Sequence, residues 1–388
     1  MQIFNMGQVP PVTFGAGRIS KVSKIAEILG GGPVFIIADS ILVQLGVTER
    51  LTQDFTQHGM AFELAAVVSG EPKEALVDDL CIQARKTNAK VIIGLGGGAA
   101  MDAAKLVAAI ANANQPAATF ALAARPLPTN GIPAIAIPTT AGTGSEVTRT
   151  SVISKADGRK IWFWGEELMF SQVVLDPELT LSLPPHLTAW TGVDAVAHAL
   201  EGATARTTSL AGQLYGLEAL RILSDALPRA VADGSDLESR GRVLWASTVA
   251  GLALHNCNTH MGHNISHALG SLVRIHHGLA TGLGLEVSLP LLVARPEGAQ
   301  SYGLAAQALG GTATPAALPS AFSELMRACQ IPAALPVECA EITSEALTFE
   351  MKNEANIGMA KNAACQISDA DLSVMASQMM RLPKTLSV

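Results

Sequence analysis

The sequence predicts an α/β N-terminal domain built on a parallel sheet, followed by an all-α C-terminal domain. In the first half, short β-rich runs alternate with helical patterns, which is typical of βαβ units with helices on both faces of a sheet. From about Leu187 onward the β-like runs nearly vanish, and Ala/Leu-rich helical patterns dominate. The length of 388 residues also exceeds the usual size of one core. We therefore expect two domains, 1–185 and 186–388.

Four apolar runs are predicted as strands of the first domain. They are PVFIIAD (33–39), AFELAAVVS (61–69), KVIIGLG (90–96) and PAIAIP (133–138). The stretch KEALVDDLCIQARKTN (73–88) has a helical pattern and separates the second run from the third. We place the domain junction in DPELTLSLPPHLTAW (176–190), because the paired prolines Pro184 and Pro185 end regular structure.

The composition excludes several classes of partner. Charged residues make up only 15% of the chain, against roughly 25% in typical soluble domains. We therefore expect part of the surface to be buried between subunits, and predict a homodimer or a higher homo-oligomer. The net charge of -7 and the absence of any Lys/Arg cluster argue against nucleic acid and anionic membranes as partners. No run approaches the ~18 uninterrupted apolar residues of a membrane span.

The cysteines and the first residues predict a cytoplasmic location. The start, MQIFNMGQVPP, lacks the basic and apolar regions of a secretory signal. The cysteines are odd in number, widely scattered and form no CxxC pair, which fits reduced thiols better than a disulfide framework. They are Cys81, Cys257, Cys329, Cys339 and Cys365.

A glycine turn follows the third predicted strand. KVIIGLGGGAAMDAAK (90–105) indicates a strand, a tight turn and a helix, which would point backbone N–H groups and a helix N-terminus at a phosphate. The GxGxx(G/A) pattern that begins at Gly94 is a weak signal by itself. A standard Rossmann site also needs an acidic residue about 20 positions later, and none occurs between Asp102 and Glu146. The acidic residue comes earlier, at Asp39. We therefore predict a dinucleotide site in which the acidic residue precedes the glycine turn in the sequence.

A second glycine-rich loop, PTTAGTGSEVT (138–148), follows the next predicted strand. Its glycines let a ligand approach the backbone, and its hydroxyls can donate to a pyrophosphate or a carboxamide. An ordinary surface loop is the alternative. Two such loops at the carboxyl ends of neighbouring parallel strands favour a nucleotide site, because ligands bind along that edge of an open sheet. The hydroxyl residues are Thr139, Thr140, Thr143 and Ser145.

Six of the nine histidines lie within residues 255–277. Asp194 and His198 are four residues apart, as are His263 and His267, so each pair lies on one face if the segment is helical. Any one of these residues alone is more often a polar side chain on a helix face. Together they predict a metal site, because three imidazoles and one carboxylate suit a divalent ion such as Fe²⁺ or Zn²⁺.

Long, ordered motifs together resemble the iron-containing (group III) alcohol dehydrogenases. They are FGAGRI (14–19), GGGAAMDAAK (96–105), IPTTAGTGSEVT (137–148), TGVDAVAHALEG (191–202) and the spaced His263, His267 and His277. The resemblance runs to about residue 290. It implies the dehydroquinate synthase-like fold of that family, with an α/β nucleotide-binding domain, a helical domain and an active site in the cleft between them.

The resemblance also implies the role of individual residues. The metal ligands would be Asp194, His198, His263 and His277, holding Fe²⁺ or alternatively Zn²⁺. The catalytic histidine that is not a ligand would be His267, near the substrate and the nicotinamide. The cofactor-binding residues would be Asp39, Gly96, Gly97, Gly98, Asp102, Thr139, Thr140, Thr143 and Leu179. The carboxylate of Asp39 can accept from both ribose hydroxyls and would repel a 2′-phosphate, which favours NAD over NADP.

Some residues depart from the family pattern. Ala99 stands where the family commonly has serine, and His276 stands where it commonly has proline. His255, His260 and His276 have no assigned role. Spacing alone would allow His260 as a metal ligand, because it lies three residues before His263.

The function implied by the resemblance is a metal-dependent, NAD-linked alcohol dehydrogenase acting on a small alcohol, aldehyde or ketone. A second hypothesis keeps the fold but takes a carboxylated substrate, as in maleylacetate reductase or a hydroxyacid-oxoacid transhydrogenase, with Arg149, Arg206 or Arg274 as the cation. A lyase such as 3-dehydroquinate synthase would need several Lys or Arg for a phosphorylated substrate, and the metal-site half of the chain is poor in them. A metal-binding protein without catalysis would not need the two phosphate loops.

Overall fold

The computed structural model of the protein describes residues 3–7 and 9–386. The chain divides into two compact units. The α/β unit comprises the described residues of 8–140 and 144–182, and the helical unit those of 1–7, 141–143 and 183–388. The chain passes from the α/β unit to the helical unit after Ser182.

The described part of the α/β unit contains a six-stranded parallel sheet in the order β1-β8-β5-β4-β2-β3 and a separate antiparallel hairpin of β6 and β7. The strands are β1 (Val12–Phe14), β2 (Val34–Asp39), β3 (Phe62–Val68), β4 (Val91–Gly96), β5 (Ala134–Pro138), β6 (Thr150–Ser154), β7 (Lys160–Trp164) and β8 (Gln172–Leu175). The α-helices are α1 (Val22–Leu29), α2 (Ile41–Gln44), α3 (Val47–Gln57), α4 (Glu74–Lys86) and α5 (Gly98–Ile110). Short 3₁₀ helices cover Arg18–Lys21, Ala111–Ala113, Ala117–Ala123, Ser145–Val147, Glu166–Leu168 and Pro177–Thr180.

The predicted α/β fold class is confirmed. The four predicted strands correspond to β2, β3, β4 and β5, and the predicted helix corresponds to α4. The strands β1 and β8 are not predicted, because runs of three and four residues are too short to show a pattern. The hairpin is also not predicted, although exposed Trp162 and Trp164 alternate with buried Ile161 and Phe163 in β7. That period of two is typical of a strand with one covered face.

The central strands of the sheet are buried on both sides, as expected for parallel strands covered by helices. Alternate residues of β2 and β4, among them Ile36 and Ile93, join Leu51 and Phe55 of α3 in one apolar cluster. Burial of each such side chain contributes about 1.5–3 kcal/mol. This packing places the carboxyl ends of β2 and β4 side by side.

The helical unit consists of ten α-helices and one two-residue parallel ladder among its described residues. The helices are α6 (Pro185–Thr204), α7 (Leu210–Ala232), α8 (Leu237–Cys257), α9 (Met261–Leu272), α10 (His277–Val293), α11 (Ala299–Ala308), α12 (Leu318–Ala328), α13 (Ser344–Met351), α14 (Ile357–Lys361) and α15 (Asp369–Arg381). The ladder joins β9 (Leu335–Pro336) and β10 (Lys384–Leu386), and 3₁₀ helices cover Pro315–Ala317 and Val337–Cys339. The ladder is a small exception to the all-α architecture predicted for this half.

Helix α6 lies at the centre of the helical unit and packs against α7, α8, α9 and α10. It begins at Pro185, where the missing N–H costs nothing because the first turn of a helix has no internal acceptor. Residues 192–204 are all buried, as expected for a helix that is covered on every side. Polar side chains within that stretch therefore lie in the interior of the unit. No helix in the described part of the chain is both long enough and apolar enough to span a bilayer.

A buried carboxylate joins the end of β8 to the N-terminal part of the α/β unit. Asp176 is fully buried and accepts the backbone N–H groups of Gly17, Ile19 and Glu178 at 3.2, 3.1 and 3.1 Å. A carboxylate oxygen meets each donor, so burial of the charge is compensated by hydrogen bonds.

We expect the substitution Asp176→Asn to lower the free energy of unfolding by about 3 kcal/mol, because the amide NH₂ would face a backbone donor. Denaturant-induced unfolding of the metal-free chain measures this change. The matched control is Asp157→Asn, which removes an exposed carboxylate from the hairpin turn and should leave the transition unchanged. Equal transitions for the two variants would show that the Asp176 contacts contribute nothing.

Candidate metal centre and nucleotide loops

Asp194 and His198 lie one turn apart on α6, and both are buried. The Nδ1 atom of His198 lies 3.3 Å from the carbonyl oxygen of Gly142. A carbonyl can only accept, so the Nδ1 atom carries the proton and Nε2 keeps its lone pair. Burial lowers the pKa of His198, which favours the neutral ring that a metal ligand requires.

His263 lies on the first turn of α9, and its Nδ1 atom is 2.7 Å from the Oε2 atom of Glu201. His277 is the first residue of α10, and its Nδ1 atom is 3.0 Å from the Ser266 hydroxyl. Ser266 donates its own proton to the backbone carbonyl of His277, so it accepts from the ring. Each of the two imidazoles therefore carries its proton on Nδ1. The Nε2 atom is the unprotonated nitrogen, with the lone pair that a metal ligand requires.

Three of the four predicted ligands, Asp194, His263 and His277, converge, and the fourth, His198, lies beside His263. The Oδ1 atom of Asp194 lies 3.7 Å from His263 Nε2 and 3.6 Å from His277 Nε2. One potential donor atom from each of these three residues lies within 4.8 Å of the other two. The Nε2 atom of His198 is 3.0 Å from that of His263, with the two rings stacked at 4.6 Å between centroids.

This arrangement fits a cation. With the protons of His198 and His263 both on Nδ1, the two Nε2 lone pairs lie side by side, with the nitrogens 3.0 Å apart, which is repulsive unless a positive charge lies near them. Asp194 Oδ1 is buried and accepts no hydrogen bond from any residue that the structure describes. A buried carboxylate oxygen without a donor is costly unless a cation compensates its charge. Three imidazole nitrogens and one carboxylate oxygen are a ligand set suited to Fe²⁺ or Zn²⁺.

The alternative ligand His260 has both ring nitrogens engaged elsewhere. Its Nδ1 atom accepts the backbone N–H of Met261 at 2.8 Å, and its Nε2 atom lies 3.0 Å from the Thr204 hydroxyl. Thr204 donates to the Leu200 carbonyl, so it accepts from Nε2–H of His260. No lone pair of His260 is left for a metal, which removes the ambiguity that spacing alone leaves.

The remaining histidines of the cluster differ in their surroundings. His267 is partly exposed, and its ring lies 5.3 Å from that of His277 and 6.3 Å from that of His263. The ring of His276 lies 5.1 Å from that of Trp190. His255 lies against the N-terminal segment, where a side chain at Gly7 would overlap its ring. Of these three, His267 is the one whose ring borders two of the predicted ligands.

Glu201 belongs to the site and is not predicted from the sequence. It is fully buried and lies seven residues after Asp194, so Asp194, His198 and Glu201 form an i, i+4, i+7 row on one face of α6. This spacing is the sequence feature from which Glu201 could have been predicted. Burial raises the pKa of the Glu201 carboxyl, but the imidazoles of His260 and His263 and the hydrogen bonds to it outweigh burial and lower its pKa to about 2. Glu201 is therefore a buried carboxylate that retains its charge.

The glycine turn lies at the end of β4 in the α/β unit. Helix α5 begins at Gly98 directly after the strand ends at Gly96, so the first N–H groups of the helix are available to an anion. Gly96 has φ +149°, and an added Cβ would lie 2.8 Å from Ala100 Cβ and 3.1 Å from Asp39 Cβ. The turn therefore requires glycine at this position.

Asp39 ends β2 next to this turn. The strand register pairs Ala38 with Leu95, which places Asp39 beside Gly96. Burial raises the pKa of Asp39, while the backbone N–H of Gly97 opposes the shift. The structure thus places the predicted ribose-binding carboxylate next to the predicted phosphate loop. As the sequence indicates, the carboxylate comes before that loop in the chain.

Asp102 binds protein groups instead of facing outward. Its Oδ1 accepts the Ser145 hydroxyl at 2.6 Å, its Oδ2 accepts the backbone N–H of Val152 at 2.9 Å, and Lys105 Nζ lies 3.9 Å from Oδ1. Both carboxylate oxygens are thus used to hold the second loop and the hairpin. We conclude that Asp102 supports the loop after β5.

The hydroxyl residues of the second loop follow β5. The backbone N–H of Thr139 donates to the Gly96 carbonyl at 2.9 Å, which ties this loop to the glycine turn. Thr139 is buried, while Thr140 and Thr143 are partly exposed. The side chain of Leu179 is 1% exposed and packs in the apolar core. A nucleotide contact by Leu179 would therefore have to come from its backbone.

Comparisons with known proteins cover both units. The family model described as "Iron-containing alcohol dehydrogenase" matches residues 10–177, and the model described as "Fe-containing alcohol dehydrogenase family, C-terminal" matches residues 188–363. The chain is 37% identical over 281 residues to the "Probable alcohol dehydrogenase EutG" of Escherichia coli, covering 71% of this chain and 70% of the relative. It is 32% identical over 305 residues to the sulfoacetaldehyde reductase of Bilophila wadsworthia, covering 78% of each.

A solved structure extends the likeness to nearly the whole chain. The sulfoacetaldehyde reductase from Bifidobacterium kashiwanohense, crystallised in complex with NAD⁺, has a TM-score of 0.90 and 27% identity, and the match covers 98% of this chain and 100% of that one. The matched family models, the relatives and the fold agree with the motifs and with the converging ligands. The chain therefore belongs to the iron-containing alcohol dehydrogenase family, whose members are oxidoreductases acting on CH–OH groups.

Proposed function

We propose that this protein is a divalent-metal-dependent, NAD-dependent alcohol dehydrogenase that interconverts a small alcohol and its aldehyde or ketone. The main observation behind the proposal is a set of three Nδ1–H hydrogen bonds. Their acceptors are Gly142, Glu201 and Ser266, and they orient three imidazole rings near Asp194. Such a set has the composition of a catalytic metal site with room for a substrate oxygen. The relatives named above are dehydrogenases and reductases, which favours redox chemistry over the lyase alternative.

In this proposal Asp194, His198, His263 and His277 hold Fe²⁺, with Zn²⁺ as the alternative ion. A bound divalent ion supplies Lewis acidity to an alcohol or carbonyl oxygen. The protein contributes by burying three of the ligands and by fixing the tautomer of each imidazole through its Nδ1 proton. Asp194, His198 and His263 are at most 4% exposed, which keeps competing water away from their donor atoms.

Apart from Thr143, the proposed coenzyme contacts belong to the α/β unit. We propose that the turn of Gly96, Gly97 and Gly98 binds the pyrophosphate, with the N–H of Gly98 at the start of α5 among the donors. Asp39 would accept from the adenosine ribose hydroxyls, and Thr139, Thr140 and Thr143 would contact the phosphates and the nicotinamide. Support for NAD comes from the charge of Asp39 beside the glycine turn and from the NAD⁺ in the related reductase structure.

His267 is the proposed proton carrier. Its ring borders His263 and His277 yet is partly exposed, so a proton taken up at its ring can pass to solvent.

The contacts of three arginines indicate whether a cation is available for a carboxylated substrate. Arg149 pairs with Glu166 and lies over the Trp164 ring at 4.5 Å, and Arg206 donates to the Ala363 carbonyl. These contacts favour a neutral substrate over the carboxylated one of the second hypothesis. Arg274, exposed in the turn before α10, remains the candidate cation for an anionic substrate.

We further propose that the two units act as domains 1–185 and 186–388 of a cytoplasmic homodimer or higher homo-oligomer. The five cysteines are free and buried, which supports a reducing compartment. The low content of charged residues supports an interface between subunits.

The proposal predicts that NADH oxidation by the chelated protein requires restored metal. Chelated protein reloaded with Fe²⁺, with Zn²⁺ or with no metal would be assayed against small aldehydes, ketones and 2-oxo acids. We expect turnover on neutral carbonyls with metal and none without it. Turnover that is confined to oxo acids would establish the carboxylated-substrate alternative, and equal turnover without metal would contradict the metal-dependent function.

His267→Ala should retain the metal and lose about 10²–10⁴-fold in kcat, because it removes a proton carrier but no ligand. His263→Ala is the matched variant and should lose the metal itself. Metal content and kcat, measured on the same preparations, separate the two roles. Loss of metal from His267→Ala would reassign His267 as a ligand.

Asp39→Asn should shift the coenzyme preference towards NADPH by about tenfold or more in the ratio of kcat/KM values, since it removes the charge that repels a 2′-phosphate. The control Asp79→Asn removes an equal charge from the exposed face of α4. An unchanged ratio in Asp39→Asn would mean that the adenosine ribose binds elsewhere.

A further inference from the structure

We propose that Glu201 is the residue that positions His263 for metal binding, and that it thereby sets the affinity of the site for its ion. The inference rests on the proposed metal-dependent function and deepens it. Glu201 lies on α6 with two predicted ligands, while His263 is a ligand from α9. The carboxylate therefore links α6 directly to α9.

The three hydrogen bonds of Glu201 all go to the start of α9. Its Oε2 accepts the backbone N–H of His260 at 2.9 Å and Nδ1–H of His263 at 2.7 Å. Its Oε1 accepts the backbone N–H of Gly262 at 2.6 Å. The two backbone N–H groups belong to the helix end that has no internal acceptors, where a negative charge is also favourable. Glu201 thus holds the first turn of α9 and the ring that projects from it.

The close approach is built into the sequence at Gly262. A Cβ at this position would lie 3.0 Å from Glu201 Oε1 and 2.8 Å from Leu285 Cγ. Glycine therefore allows the carboxylate and α10 to contact the first turn of α9 together. The contact is a tight, specific one with full burial on both sides, since Glu201 is 0% and His263 is 3% exposed.

The effect on the metal follows from the tautomer. With Glu201 as an obligate acceptor, the His263 proton stays on Nδ1, and Nε2 keeps the lone pair that a cation needs. Without that acceptor the proton can move to Nε2 and block the ligand atom. The negative charge also makes the imidazole a stronger donor, as carboxylate partners of metal-bound histidines do.

The test compares Glu201→Gln and Glu201→Ala with the wild-type chain in Zn²⁺ affinity, measured by competition with a chromophoric chelator. The glutamine can still accept from His263 through one oxygen but lacks the charge, so we expect about tenfold weaker binding. The alanine removes the acceptor, and we expect about 100-fold weaker binding. Asp176→Asn is the matched control, because it disturbs another buried carboxylate that accepts three N–H groups, in this case all from the backbone. It should destabilise the chain and leave Zn²⁺ affinity within about twofold of wild type.

A second readout distinguishes positioning from folding. Long-range ¹H–¹⁵N spectra of metal-free, ¹⁵N-histidine-labelled protein report which ring nitrogen is protonated. We expect His263 to be protonated on Nδ1 in the wild type and in Glu201→Gln, and to show Nε2 protonation in Glu201→Ala. Where Glu201→Ala does not fold, Glu201→Gln decides the affinity question.

Wild-type Zn²⁺ affinity in the Glu201 variants, or a loss equal to that of Asp176→Asn, would overturn the inference while leaving the metal site in place. Failure of the wild-type chain to bind Zn²⁺ would instead contradict the proposed metal-dependent function, and this inference with it.

Discussion

The metal centre depends on where three imidazole rings hold their Nδ1 protons. Gly142, Glu201 and Ser266 each supply an acceptor that keeps the proton on the outer side of a ring, at 3.3, 2.7 and 3.0 Å. The Nε2 lone pairs are thereby left for the interior of the site. A buried carboxylate oxygen of Asp194 lies within 3.7 Å of two of them. Such an arrangement of acceptors and lone pairs is costly in an apolar interior and becomes favourable with a cation.

Helix α6 makes this arrangement possible because it is buried along most of its length. Its apolar and small residues pack against α7, α8, α9 and α10, and the same burial brings three acidic or imidazole side chains into the interior. Their spacing of four and then three residues places them on one face. Two of them, Asp194 and His198, are proposed metal ligands, and Glu201 accepts hydrogen bonds from the start of α9. The packing of one helix therefore determines both the ligand geometry and its support.

In the α/β unit the equivalent constraint is the pairing of β2 with β4. Parallel pairing in this register places Asp39 next to Gly96, so a carboxylate and a glycine turn lie together although they are far apart in sequence. Asp102, by contrast, uses its carboxylate within the protein, through Ser145 and Val152. Asp102 belongs to the phosphate-loop motif in sequence, but its carboxylate stabilises the loop that follows β5.

Much of this could be predicted from the sequence because the signals are local. The strands β2, β4 and β5 are continuous apolar runs, and the Asp194–His198 pair shows its helical spacing directly. The strands β1 and β8 could not be predicted, since they are short and are stabilised by pairing with each other across more than 150 residues of chain. The role of Glu201 depends on a contact with α9 that no local pattern reveals. His260 could be set aside as a metal ligand only from the hydrogen bonds of its two ring nitrogens, which involve Thr204 and the backbone of Met261. The sequence does not show these contacts.

The most direct measurement is an anomalous difference map at the iron edge from crystals of the Fe²⁺-loaded protein. The account predicts one peak in contact with Asp194 Oδ1 and with the Nε2 atoms of His198, His263 and His277, and no Nδ1 atom among the ligands. A peak coordinated by His260 or by an Nδ1 atom, or no peak beside Asp194, would contradict it.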